Sequence, residues 1–215
     1  MTGVLAPSTS LDGFAPFLSR PVQQVQAELE SFCDLLRKWQ RAQNLVSRET
    51  LDTLWPRHVI DSLQLLPLLR PTDRRFLDLG SGGGFPAIPL AIALKGRAEF
   101  VLLEPNNRKA SFLRTAAREF GLPVTVHAER AQSVDPQRIG MPEVITSRAL
   151  ASLDALLGFA LPFCGLSTRL LLHKGRGHAE ELAESRLLWH FDSVNHSSVT
   201  DPEGVVLEIT HLRKR

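Results

Sequence analysis

Along the 215-residue chain the apolar positions change their period near residue 70. Before it, Val22, Val25, Leu29, Phe32, Leu36 and Trp39 fall alternately three and four apart, which predicts a helix from 22 to about 43 with that stripe turned into a core. Ser47, followed by Arg48, Glu49 and Thr50, has the form of a second helix start. In the segment that follows, Pro56 should break or restart the helix. There Arg57, His58, Asp61 and Ser62 share a face by their three- and four-residue spacing, and pattern alone favours solvent exposure for it.

After Pro71 short apolar runs alternate with helical patterns, the signature of an α/β sheet. Strands are predicted at 75–79, 99–104, 124–128, 143–146 and 170–173, with helices at 86–94, from Asn106, around 129–139 and at 152–160. The helix from Asn106 buries Phe112, Leu113, Ala116, Ala117 and Phe120 and carries Arg108, Lys109, Arg114 and Arg118 on its other face. Arg148 falls just past the fourth strand, and Lys174-Gly175-Arg176-Gly177 forms a basic loop after the fifth. Two further runs, 189–194 and 205–211, suggest a closing antiparallel pair. The expected fold is α/β, Rossmann-like, with a mostly parallel sheet, an antiparallel C-terminal strand and an N-terminal helical extension. As one domain, it comprises a loose leader at 1–16, helices packed on the core at 17–70, and the core at 71–215.

The chemistry concentrates at the first strand and the turn after it, Arg75-Phe-Leu-Asp-Leu-Gly-Ser-Gly-Gly-Gly-Phe-Pro. Gly80, Gly82, Gly83 and Gly84 let backbone N–H groups approach a ligand. Gly82-x-Gly84-x-x-Ala87 matches the loose dinucleotide fingerprint, which keeps a nicotinamide or flavin enzyme in view. Against it stands Asp78, a carboxylate at the strand's end that would repel a pyrophosphate and suits a ligand carrying a cation, such as S-adenosylmethionine. Glu104, about 20 residues beyond the glycines, sits where an acid binds ribose hydroxyls in nucleotide sites of both kinds.

Composition narrows little. Cations exceed acids by two, so overall charge neither demands nor excludes a nucleic acid. Cys33 and Cys164 lie in apolar runs without metal-ligand spacing, and no metal is expected; with no signal-like start or membrane-length apolar stretch, a soluble, cytoplasmic protein is the expectation.

Taken together, Asn44-Leu45, Arg57-His58-x-x-Asp61-Ser62-Leu63, Asp78-Leu-Gly-Ser-Gly-Gly-Gly-Phe-Pro, Arg130, Ser147-Arg148-Ala149 and Lys174-Gly175 resemble, in order, the bacterial 16S ribosomal RNA guanine-N7 methyltransferase family, historically called glucose-inhibited division protein B. The resemblance spans nearly all of residues 20–212. It implies methyl transfer from S-adenosylmethionine to N7 of a guanosine in the 530 loop of 16S rRNA, with the rRNA or the small-subunit particle as partner; a monomer is the separate expectation. It also implies that Gly80, Phe85, Ala131, Gln132 and Arg148 contact the cofactor, beside Asp78, Gly82 and Glu104. The family usually has an acid where Gln132 stands, so a backbone contact there survives and a carboxylate contact does not.

The residues agree with such an acceptor. Guanine N7 carries a lone pair and no proton, so attack on a sulfonium methyl needs positioning more than a general base. The Asn-Pro-Pro-aromatic loop of exocyclic-amine methylation is replaced by Ser147-Arg148-Ala149-Leu150, and Cys164 lies outside any Pro-Cys pair. Arg130, Lys174, His58 and Arg57 are then candidates for positioning RNA, and Arg148 for RNA or for the methionine carboxylate. Competing readings are a methyltransferase for another RNA, a protein or a small molecule, an oxidoreductase, and a non-catalytic RNA-binding assembly factor.

Overall fold

The computed structural model describes residues 10–148 and 150–215. Residues 1–9 of the expected leader and Ala149 lie outside the described residues. From residue 10 the leader is not loose: Leu11 is buried and a 3-10 turn follows at Asp12–Phe17, because Leu11, Phe14 and Phe17 find apolar partners in the core.

Helix α1 (Val22–Gln40) buries the predicted stripe at Val25, Leu29, Phe32 and Leu36. A 3-10 turn at Arg48–Thr50 leads to one π-helical stretch, Trp55–Ile60, and the short α2 (Asp61–Leu63), with Pro56 in the first turn where its missing N–H costs no helical bond. The solvent-exposed reading of this segment's polar face is corrected here. His58 and Ser62 are buried and Asp61 half-buried, since polar groups of the sheet's strand ends cover that face; Arg57 stays exposed.

The α/β part runs β1 (Arg75–Leu79), α3 (Ala87–Ala93), β2 (Glu99–Leu103), α4 (Asn107–Glu119), β3 (Val124–His127), α5 (Pro136–Ile139), β4 (Val144–Arg148), α6 (Leu153–Ala160), β5 (Arg169–Lys174), α7 (His178–Leu188), β6 (Trp189–Ser197) and β7 (Val205–Lys214). Asn106 caps α4, its Oδ1 accepting the amides of Arg108 at 3.0 Å and Lys109 at 3.2 Å. Helix α7 is absent from the pattern reading because Leu187 and Leu188 are exposed and Ser185 is its buried residue, so no apolar stripe marks it.

The seven strands lie in the order β3-β2-β1-β4-β5-β7-β6. The first five are parallel and β7 and β6 are antiparallel, which is the mostly parallel sheet expected, closed by an antiparallel pair. Helices cover both faces. Phe76, Phe100, Val144 and Leu171 pack with α1, α3 and α4, and Leu77, Ile145, Leu170 and Leu172 pack with α6. Helix α3, buried at every residue, is apolar all round for that reason. Chain order reverses between β1 and β4, and the crevice at their carboxyl ends is where open α/β sheets bind ligands.

Candidate functional site

A cavity of about 480 Å³ opens at that crevice, lined by Gly80, Ser81, Gly82, Gly83, Phe85, Glu104 and Arg148 together with Leu45, Val46, Ser47 and Thr50 from the N-terminal extension. The glycine loop turns under it. Gly82 has φ +53°, a left-handed backbone, and a Cβ on Gly83 would come within 2.9 Å of the Leu45 carbonyl oxygen, so the loop and the extension approach as closely as they do only without side chains. Glu104 holds the loop in place: Oε2 accepts the Gly82 amide at 2.8 Å and Oε1 the Asn106 amide at 2.8 Å. Each oxygen keeps a second lone pair for a ligand hydroxyl.

Asp78 lies beneath this loop, buried, and is not part of the lining. The parallel register of β1 and β4 sets it opposite Thr146, whose hydroxyl donates to Oδ1 at 2.6 Å. Its Oδ2 is buried with no hydrogen-bond partner among the described residues, and burial raises the carboxyl pKa to about 6.

Arg148 ends β4 and is the centre of a second arrangement. Its guanidinium donates to Asp61 Oδ2 at 3.1 Å and to His58 Nδ1. Because arginine only donates, His58 Nδ1 must accept, which puts its proton on Nε2, 2.9 Å from Thr50 Oγ1. Burial, and then the Arg148 charge, lower the His58 pKa to about 3. Burial likewise lowers the pKa of Arg148. The His58 ring lies 4.8 Å from the Phe85 ring, tilted by 30°, and Phe85 also meets Phe32 of α1 and the Arg148 guanidinium.

His58, Thr50 and Arg148 also line a second cavity, of about 340 Å³, with Arg57, Asp61, His173, Lys174 and Glu181. Thus two cavities share one wall. Lys174 is a tie: Nζ donates to Glu181 Oε2 at 2.6 Å and to the Ala151 carbonyl at 3.0 Å, leaving one N–H. Asp61 Oδ1 accepts from Thr200 Oγ1 at 2.6 Å, joining the turn between β6 and β7 to the N-terminal extension.

Of the residues predicted from sequence, Gly80, Gly82, Phe85, Glu104, Arg148 and His58 meet at the first cavity, and Arg57, His58, Arg148 and Lys174 at the second. Arg130, Ala131 and Gln132 stand on the loop after β3, outside both linings; Arg130 and Gln132 are exposed, and Ala131 packs on the core. Thr50, Thr146 and Thr200 were not singled out as site residues. Thr50, three residues after the predicted helix start at Ser47, is the one with a local signal. The two cysteine thiols are pushed up to about 11 by burial, and Cys164 donates to the Ala160 carbonyl, so neither is poised as a nucleophile.

Comparison with known proteins gives the same direction. Solved structures with this fold include the cofactor-bound Rv0187 from MTB, at a TM-score of 0.57 and 16% identity over 86% of this chain and 89% of that one. An SAM-dependent O-methyltransferase from Thermotoga maritima aligns at a TM-score of 0.55 and 13% identity, over 72% of this chain and 66% of that one. In sequence, the ribosomal RNA small subunit methyltransferase G of Brucella ovis is 44% identical over 96% of this chain and 95% of its own length. The family model described as rRNA small subunit methyltransferase G matches residues 25–209. With that match across most of its length, the chain belongs to the rRNA small subunit methyltransferase G family.

Proposed function

We propose that this protein methylates N7 of a guanosine in the 530 loop of 16S rRNA with S-adenosylmethionine as donor, as a cytoplasmic monomer. The observation that carries the reading is the shared wall: a glycine-lined cavity and a polar cavity meet at Arg148, His58 and Thr50. Among the described residues, no helix is long and apolar enough to cross a membrane.

The residues present fit the donor. Glu104 has lone pairs left for ribose hydroxyls, the Gly80–Gly82 turn offers backbone beside them, and the spare Asp78 oxygen puts negative charge under the loop for a cationic end. Ala131 and Gln132, beyond the neighbouring strand end, are candidates for the adenine. When bound, S-adenosylmethionine supplies an electrophilic methyl on a sulfonium.

On the acceptor side, Arg148, Lys174 and Arg57 bring donors suited to a guanine O6 edge or to phosphate oxygens, and Arg130 is a candidate for the RNA backbone. N7 gains positive charge as it is alkylated. Neutral His58 adds no opposing charge, and the Asp61 carboxylate lies in the same wall. No side chain needs to take a proton, because N7 carries none; the work left to the protein is orientation.

The test is mass-spectrometric mapping of methylated nucleotides in 16S rRNA with and without this protein, together with label transfer to RNA from cells that lack it. Transfer to unmodified RNA and little to modified RNA is expected. Equal labelling of both, or none, overturns the reading.

A further inference from the structure

Next to the cofactor cavity lies a depression of about 410 Å³ in which Arg41, Arg48, Arg108 and Lys109 converge from the end of α1, the following turn and the start of α4. No acidic residue is among its lining; Gln40, Gln43, Asn44 and Asn106 complete it. Several other cations of the fold are neutralised, among them Arg20 by Glu28, Arg75 by Glu99, Arg138 by Glu129, Lys174 by Glu181 and Arg176 by Glu203. Among the described residues, the side chains of these four make no hydrogen bond or ion pair with the rest of the protein.

Two further features make the arrangement unfavourable in the free protein. Arg108 and Lys109 occupy the first turn of the 13-residue α4, which has no acidic residue there, so they add positive charge to the positive end of the helix dipole. Gln43 Nε2, on a side chain of the same wall, is buried with no hydrogen-bond partner among the described residues. An anion placed among them would relieve two of these costs, the mutual repulsion and the opposed dipole. The depression is continuous with the cofactor site, since Lys109 lines both, and Leu45, Val46 and Ser47 of the cofactor cavity also line an adjoining hollow that includes Arg48.

We infer that this depression is a phosphate-binding groove that holds the backbone of the substrate RNA beside the cofactor cavity, on a wall that the polar cavity does not share. The inference rests on the RNA-methylating function proposed above. RNA is preferred over an acidic protein surface because the lining joins cations to amide donors and acceptors, which suit phosphate and sugar hydroxyls together. An RNA strand leading to a target base continues past it, and the groove supplies a track for that flanking backbone.

The experiment compares the wild-type protein with the triple variant Arg41→Gln/Arg48→Gln/Arg108→Gln and with Arg118→Gln, an exposed cation at the far end of α4. The probe is an unmodified, protein-free 16S rRNA fragment containing the 530 loop, titrated across salt concentrations. Calorimetry with S-adenosylhomocysteine checks that each variant is folded.

The triple variant is expected to keep the cofactor-product affinity, lose about 10- to 100-fold in RNA affinity at low salt, and reduce the slope of log K against log salt by roughly 2. Each single variant should contribute about a third of the slope change, which keeps the test valid if the triple variant folds poorly; Arg118→Gln should change nothing. If wild type binds RNA and the triple variant binds with the same affinity and slope, the groove is not an RNA contact although the function stands. If a parallel titration with the assembled small-subunit particle shows the loss and the protein-free fragment does not, the groove is not a contact to the target RNA segment and the inference fails. Absence of RNA binding and methylation by wild type removes both this inference and the function it rests on.

Discussion

Asp78 and Thr146 face one another across β1 and β4, and the threonine hydroxyl satisfies only one oxygen of the buried carboxylate, at 2.6 Å. The other oxygen has no hydrogen-bond partner among the described residues, and burial holds the carboxyl pKa at about 6, above its ordinary 3.8. A cationic ligand end needs the ionised form, so affinity for S-adenosylhomocysteine should rise with pH through 6 and level off above about 7. Below 6 it should fall by up to tenfold per pH unit. Calorimetry from pH 5 to 8 checks this, and Asp78→Asn should bind about tenfold or more weakly with a flat pH profile.

Gly82→Asp should abolish binding of S-adenosylhomocysteine while leaving the fold largely intact. The added Cβ meets nothing closer than the Gly80 oxygen at 3.8 Å, so there is room for it. The φ of +53° strains any L side chain by on the order of 1 kcal/mol, and the new carboxylate would point its charge at Glu104, 2.8 Å from the Gly82 amide. Circular dichroism should be unchanged within a few degrees of melting temperature. A variant that still binds the ligand, or that is unfolded, contradicts the expectation.

Arg148→Lys should lower kcat by about 10- to 100-fold. One ammonium cannot reproduce the fork that reaches Asp61 and His58 together, and the shared wall of the two cavities loses its geometry. The KM for RNA should change less than kcat. Steady-state kinetics at saturating cofactor separates the two parameters.

His58 makes stability depend on acid. Its folded pKa, near 3, lies below the ordinary 6.5, so the unfolded chain binds a proton that the native state refuses. The stabilisation of the native state is therefore fully present above pH 6.5 and declines as pH falls from 6.5 toward 3. His58→Gln keeps an acceptor for Arg148 and a donor for Thr50 but does not titrate. Urea unfolding at pH 7 and pH 5 should show a smaller acid loss in the variant than in wild type.

At the opposite end of the sheet, Arg169 is enclosed at 3% side-chain exposure, bonded to Asp73 at 2.6 Å and Glu208 at 2.7 Å. Asp73→Ala removes one partner and leaves a buried guanidinium undercompensated, which should cost about 3–5 kcal/mol. Chemical denaturation measures that loss. Ligand affinity of the folded fraction should be unchanged, because Arg169 begins β5 whereas the site lies at the strands' carboxyl ends.

Local pattern by itself determined the alternating strands and helices, the glycine turn and the positions of Asp78, Glu104 and Arg148 at strand ends, since each is written in a run of a few consecutive residues. It was silent on α7, whose leucines form no stripe, and it turned His58 and Ser62 toward solvent because spacing cannot tell an exposed polar face from one covered by other polar groups. Only the tertiary structure decided that Arg148 would find Asp61 and His58, some 87 and 90 residues away, or that Thr200 would reach Asp61. Such contacts depend on strand order and register, in which distant segments supply complementary donors and acceptors. A one-dimensional period carries the direction of a side chain relative to its own element, and nothing about what another element will set against it.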